Sequence, residues 1–198
     1  MPNWCNNTIE LSGPKDKIES IYNKAKKDNA LLQQLYPMPE VLEGTTKGTG
    51  EEEQTTFVGG HNNWYDWRVD NWATKWDVDA DYLELEVHGD RATISGWFDS
   101  AWSPPIGAYE KFLEENEDCH IKSYYYEGGM DFGGLWEDFA DDMVTISDYT
   151  ADQMEDHNSG LIYDLNEHFN FSEYVREYEE EQKTDTEKFI VDKEEVNV

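Results

Sequence analysis

The order in which two hydrophobic periods follow one another limits what this chain can fold into. Trp4 to Leu11 alternates, with Cys5, Asn7, Ile9 and Leu11 on one side, which predicts a half-buried strand. Gly13 and Pro14 turn the chain. Ile18, Ile21, Tyr22 and Ala25 then fall at helical spacing, with Lys15, Lys17, Lys24, Lys26 and Lys27 largely outside that face as a solvated basic surface. Leu83, Leu85 and Val87 alternate, Gly89-Asp90 supplies a turn, and Ile94, Gly96 and Phe98 alternate again, so residues 82–88 and 92–99 read as a hairpin. Ser103 suits an N-cap and Pro104 a first helical position, which predicts a helix opening there with Ile106, Tyr109, Phe112 and Leu113 inward. Residues 119–126 make a last strand, with Ile121, Ser123 and Tyr125 on one side and Lys122, Tyr124 and Tyr126 on the other.

Strand, helix, strand, strand, helix, strand is the βαββαβ order of a ferredoxin-like α+β sandwich, a four-stranded antiparallel sheet with two helices on one face. In that topology the first and last strands are antiparallel neighbours. Cys5 and Cys119 each begin a strand, so they fall at opposite ends of the sheet, which argues against a disulfide. Residues 35–77 read as a long insertion. Pro37 and Pro39 break regular structure, Gly44 to Gly60 is rich in Gly, Thr and Glu, and 63–77 holds the densest aromatics. Within it, Trp64 and Trp67 share helical spacing and Trp72 and Trp76 lie four apart, which predicts a short helix packing indoles into the core. After residue 126 the glycines at 128, 129, 133 and 134 permit tight turns, and Leu135–Phe139 with Met143–Ile146 read as a further hairpin. Two amphipathic helices follow, one around Leu161, Ile162, Leu165 and Phe169, the other around Tyr174, Val175 and Tyr178. The expected organisation is a domain over 1–126, an acidic hairpin and helical extension over 127–182 packed on it, and a flexible tail over 183–198.

Charge bounds the function. There are 45 acidic against 15 basic residues, a formal net charge of −30, with 27 acids and 6 bases in the second half of the chain. Such a surface repels nucleic acid and anionic lipid and attracts basic proteins over distance. Acidity alone would suggest disorder, but the 8 Trp, 12 Tyr and 8 Phe provide large buried surfaces and argue for a packed fold. Two cysteines, no basic-plus-apolar leader and no apolar run approaching about 18 residues predict a soluble cytoplasmic protein with reduced thiols. The expected partner is a basic, nucleic-acid-binding protein, with no membrane and no direct nucleic-acid contact. Glu137, Asp138, Asp141, Asp142, Asp148, Asp152, Glu155 and Asp156 form the densest acidic group before the tail, and Trp136, Phe139 and Tyr149 are nearby anchors. Carboxylates presented this way can mimic a nucleic-acid backbone and occupy a basic groove.

A rival reading centres on the aromatic block. His61, Trp64, Trp67, Arg68, Trp72, Trp76, Asp99 and Trp102 could form a pocket for a planar or nucleotide-like ligand, or a catalytic cleft. No cofactor and no metal are expected. The histidines at 61, 88, 120, 157 and 168 form no zinc pattern, and Asp77-Val78-Asp79-Ala80-Asp81 starts like a calcium loop but has Tyr82 where glycine is required. No phosphate loop and no nucleophile elbow are present. Tyr82, Trp97, Tyr124 and Tyr126 are expected on the sheet face away from the helices, where such aromatics can stack single-stranded RNA. Glu10, Glu84, Glu86 and Asp99 share that face and oppose phosphate, and the C-terminal elements are expected to cover the aromatics.

Met1-Pro2-Asn3-Trp4-Cys5-Asn6-Asn7, Asn71-Trp72-Ala73-Thr74-Lys75-Trp76-Asp77 and Phe98-Asp99-Ser100-Ala101-Trp102-Ser103-Pro104-Pro105 occur in that order. In these three segments the chain resembles the YubB-type ferredoxin-like family of bacteriophage and plasmid proteins, over residues 1 to about 126 and the Gly-rich stretch after it. The resemblance implies a ferredoxin-like domain encoded by a mobile element, and it carries no catalytic residues to this chain. Joined to the charge, it gives the expectation of a host-defence inhibitor acting in the host cytoplasm by protein binding.

Overall fold

The computed structural model describes residues 3–45 and 58–179. The chain divides into two compact units, Met1–Met143 and Val144–Val198. The first is built on an α+β sheet of six strands in the order β2-β3-β1-β4-β5-β6.

β1 (Trp4–Pro14) is central, antiparallel to β3 (Arg91–Ala101) on one side and to β4 (His120–Glu127) on the other. Its predicted alternation holds, with Cys5, Asn7, Ile9, Leu11 and Gly13 buried. Asn7 is the polar exception on that face, and its amide is satisfied by the Cys5 carbonyl at 2.8 Å and Ser100 Oγ at 2.9 Å. α1 (Lys15–Asp28) buries Ile18, Ile21 and Ala25 and stops at Asn29, which takes the left-handed conformation. β2 (Leu83–His88) returns to β3 with His88 opposite Arg91 across the Gly89-Asp90 turn.

The second crossover begins later than the sequence suggests. After the short α2 (Leu32–Leu35) and the 3-10 turn Glu40–Leu42 comes α3 (Trp64–Trp72), and the crossover helix α4 then spans Ile106–Glu115. Ser103 does not cap α4. Its hydroxyl donates to the Ala73 carbonyl at the end of α3, and Trp102 takes a positive φ of 72°, so Ser103 joins the two segments and the helix starts three residues on. Gly107 makes that approach possible, since a Cβ there would lie 2.6 Å from the Asn71 carbonyl oxygen. Cys5 and Cys119 are both buried and free.

The hairpin beyond β4 shifts in register and continues the sheet. β5 (Phe132–Glu137) pairs with β4, and β6 (Ala140–Thr145) forms the outer edge, joined by a two-residue turn in which Asp138 and Phe139 have φ of 42° and 74°. The sequence places the turn later because Leu135–Phe139 looks like one apolar strand. The turn forms at Asp138 because its carboxylate has a fixed partner on β4, described below. At the other end Glu127, fully buried, accepts from the amides of Gly129 (3.0 Å) and Met130 (2.6 Å) and fixes the β4–β5 turn.

Of the indoles of the insertion, Trp67 and Trp72 pack into the core as predicted, and Trp72 Nε1 donates to the Tyr36 carbonyl at 2.8 Å, whereas α3 ends at Trp72 and Trp76 lies beyond it, half-buried. Residues 46–57 of the insertion and the tail at 183–198 lie outside the described residues. In the second unit, a 3-10 turn at Ile146–Asp148 leads to α5 (Ala151–Glu155), opened by a Thr150/Gln153 capping box, then to α6 (Leu161–Phe169) and helical residues 172–179. Both C-terminal helices therefore appear near the places where their apolar spacing puts them. Among the described residues no helix is long and apolar enough to cross a membrane.

Candidate partner-binding site

Four of the eight predicted acidic residues sit on the β5–β6 hairpin and four in the second unit, so they do not form a single group on one element. Asp138 is fixed by its surroundings. Its Oδ1 accepts from the Ile121 amide at 2.9 Å, its Oδ2 lies 2.8 Å from His120 Nδ1, and its own amide donates to the Ile121 carbonyl at 3.1 Å. Asp141 accepts from the Tyr125 hydroxyl at 2.6 Å. Burial, reinforced by Asp141, pushes the Tyr125 hydroxyl well above the usual phenol range. Residue 134 must be glycine here, because a Cβ would collide with the Tyr125 hydroxyl and approach the Asp142 carbonyl oxygen to 2.6 Å. Glu137 and Asp142 are exposed, and Glu137 stands opposite Lys122. Consecutive strand residues point to opposite faces, so Asp141 and Asp142 leave β6 on its two sides.

In the second unit, Asp152 and Glu155 are one turn apart on α5 and share Arg176, at 3.1 and 2.6 Å. The Arg176 guanidinium holds Glu155 below the usual carboxylate range. Asp156 is lowered by its bonds to the Asn158 amide groups, and Asp148 is exposed at the end of the 3-10 turn.

The aromatic block divides in a different way. Trp67 and Trp72 are buried, Tyr36 stacks on Trp67 with ring centroids 5.3 Å apart, and Trp64 packs against the same core. The Arg68 guanidinium lies 5.3 Å from the Trp64 ring and 4.8 Å from Trp72, and burial lowers its pKa against the pull of Asp77. His61 Nε2 is 2.8 Å from Asp70. Lys75 Nζ sits 4.4 Å over Trp76 and 6.0 Å from Trp102. Loss of function on truncating Trp67 or Trp72 would thus report on the core rather than on a ligand.

Trp76 and Asp99 instead open onto a cavity of about 440 Å³ on the other side, whose aromatic walls are Trp4, Trp76, Tyr82 and Trp97. Trp4 and Trp97 are outward residues of β1 and β3, and Tyr82 precedes β2. Tyr82 and Trp97 stack, with centroids 4.0 Å apart and planes at 17°, and Trp4 and Trp76 meet at 5.9 Å. Two local features set this up. Gly96 admits the Tyr82 carbonyl where any Cβ would collide with it, and buried Thr74 bonds both backbone groups of Ala101, which stands opposite Trp4. Tyr82 and Trp97 remain 54% and 49% exposed, so the expectation that these aromatics are covered fails for these two. Tyr124 and Tyr126 are half-buried. The outward aromatics of the alternating strands were legible in the sequence, but not that Trp4, Trp76, Tyr82 and Trp97 meet around one cavity.

Asp77, the start of the apparent calcium loop, spends its carboxylate on the amides of Leu32, Gln33 and Val78 at 2.7–2.9 Å, and burial raises its pKa. Asp79 accepts from the Asp81 amide, and among the described residues no acidic, His or Cys cluster could hold a metal ion. No protein-family model, curated protein or solved structure matches this chain.

Proposed function

We propose that this chain is a ferredoxin-like, phage- or plasmid-encoded binding protein. In this reading it engages a basic, nucleic-acid-binding host protein in the host cytoplasm and inhibits it by occupying the groove meant for nucleic acid. The fold part is supported by the run β2-β3-β1-β4 with α1 and α4 as its crossovers, to which β5 and β6 are added at the β4 edge. The functional part rests on the β5–β6 hairpin. Its four carboxylates are exposed, and two of them, Asp138 and Asp141, are held in place by an amide and a hydroxyl of β4. Carboxylates fixed on a rigid edge lose little entropy when a cationic groove closes on them, whereas acids on loose chain must be ordered at that moment.

The test is capture from nuclease-treated host lysate at low and high salt, using the wild type and a Glu137→Gln/Asp138→Asn/Asp142→Asn variant of the hairpin. Asp138→Asn keeps the acceptor of the Ile121 amide while removing the charge, and Asp141 is left alone because it accepts from the Tyr125 hydroxyl. The expected result is one basic nucleic-acid-binding protein, released by salt, displaced by DNA or RNA, and retained at least several-fold less by the variant. Equal retention by the variant, or no such protein, would overturn the proposal.

A further inference from the structure

The cavity lined by the Trp4–Trp76 and Tyr82–Trp97 pairs has the chemistry of a receptor for an organic cation. Aromatic faces carry negative potential and attract a cation placed over them, most strongly when it is partly desolvated. Asp79 and Asp99 stand in the same wall, and none of the lining residues is basic, although Lys75 Nζ lies 4.4 Å over the Trp76 ring, so the aromatic face offered to a ligand is the Tyr82–Trp97 pair. Asp99 is held in place, since Asn6 Nδ2 donates to its Oδ1 at 2.6 Å, which leaves Oδ2 to meet an incoming N–H. A neighbouring hollow that shares Tyr82 and Trp97 carries Asp81 and Glu84 but already holds a cation of its own, Lys26, whose Nζ donates to the Ala80 and Asp81 carbonyls. The chain uses the same contact internally, with Arg68 against Trp64 and Trp72 and Lys75 against Trp76.

We propose that this cavity binds the guanidinium of an arginine presented by the basic partner. Arginine rather than lysine follows from shape. The guanidinium is planar, stacks flat on an aromatic face and still directs a fork of N–H donors at a carboxylate, whereas an ammonium is compact and holds its water tightly. Two exposed, stacked aromatic rings beside a fixed carboxylate meet both requirements. The site rests on the proposed basic partner and gives it an anchor, a defined contact set within a diffuse acidic field.

The probes are a five-residue peptide amide, Gly-Gly-Arg-Gly-Gly, and the same peptide with citrulline, lysine or trimethyl-lysine in place of arginine. Binding is followed through the indole N–H resonances of Trp4 and Trp97. Arginine should move both in a saturable way. Citrulline, isosteric but uncharged, should bind at least about fivefold more weakly, and lysine more weakly than arginine. Trp97→Ala and Asp99→Asn should each weaken arginine binding by about fivefold or more. Asp99→Asn leaves every aromatic wall in place, so it remains informative if Trp97→Ala perturbs the sheet. Citrulline binding as well as arginine, trimethyl-lysine binding more tightly than arginine, or no effect of Asp99→Asn would each overturn the proposal. The two proposals separate cleanly. Peptide binding without capture of a basic protein would leave the cavity and sink the inhibitor reading; capture undiminished by Asp99→Asn and Trp97→Ala would do the reverse.

Discussion

Asp138 tests whether the acidic hairpin is built into the fold. Replacing it with alanine removes the acceptor of the Ile121 amide at 2.9 Å, a bond to a charged group that contributes about 1.5 kcal/mol at a partly exposed site. It also places a Cβ-bearing residue with no local polar bond at φ 42°, where Asp and Asn are tolerated and Ala costs about 1 kcal/mol. The pair with His120 adds little, because its side chains are 61% and 39% exposed. The expected loss for Asp138→Ala is therefore about 2.5 kcal/mol, a drop of about 5–10 °C in Tm for a chain of this size. Asp138→Asn keeps Oδ1 and the left-handed preference, and should cost under about 1 kcal/mol. Asp138→Gly restores the backbone freedom but not the acceptor, and should fall between them, at about 1.5 kcal/mol. Thermal melts followed by near-ultraviolet circular dichroism, with buried Trp136 on the adjoining strand as reporter, give the order wild type, Asn, Gly, Ala. An Ala variant as stable as wild type, or an Asn variant as damaged as Ala, would refute the account of the turn.

Two further outcomes follow from buried polar groups. Asp77→Ala strands the amides of Leu32, Gln33 and Val78 and should cost about 3 kcal/mol in urea denaturation followed by tryptophan fluorescence; a loss under about 1 kcal/mol would show that those amides find other partners. At alkaline pH, burial raises the thiols of Cys5 to about 12 and Cys119 to about 11 from an ordinary 9.0, and raises the hydroxyls of Tyr109 and Tyr125 as well. The folded chain thus keeps protons that the unfolded chain releases, so stability is intact below the ordinary thiol value and falls as pH rises through the window between the unfolded and folded values. The urea midpoint should decline steadily above about pH 9, and Tyr125→Phe should flatten part of that decline; a midpoint level to about pH 11 would contradict it.

Local periodicity made the strands and helices of the first 126 residues legible. Cys5, Ile9 and Leu11 on β1 and Ile18, Ile21 and Ala25 on α1 are buried because a period of two or of 3.6 forces them to one side whatever the rest of the chain does. The Gly89-Asp90 turn was legible for the same reason, since left-handed backbone has few residue types that suit it. The sequence by itself also determined the sign and the asymmetry of the charge. It could not determine which carboxylates are free. Asp138, Asp141 and Asp142 look alike along the chain, yet the first two are bound by β4, because β5 and β6 extend the sheet and bring residues 16 to 18 positions apart into hydrogen-bond contact. Nor could it find the cation cavity. Trp4, Trp76, Tyr82 and Trp97 lie on four separate segments, and only the β1–β3 register, the Thr74–Ala101 bonds and the close approach at Gly96 bring their rings together. Period and charge are properties of neighbours in sequence. A pocket is made by long-range pairing, and that was decided only by the tertiary structure.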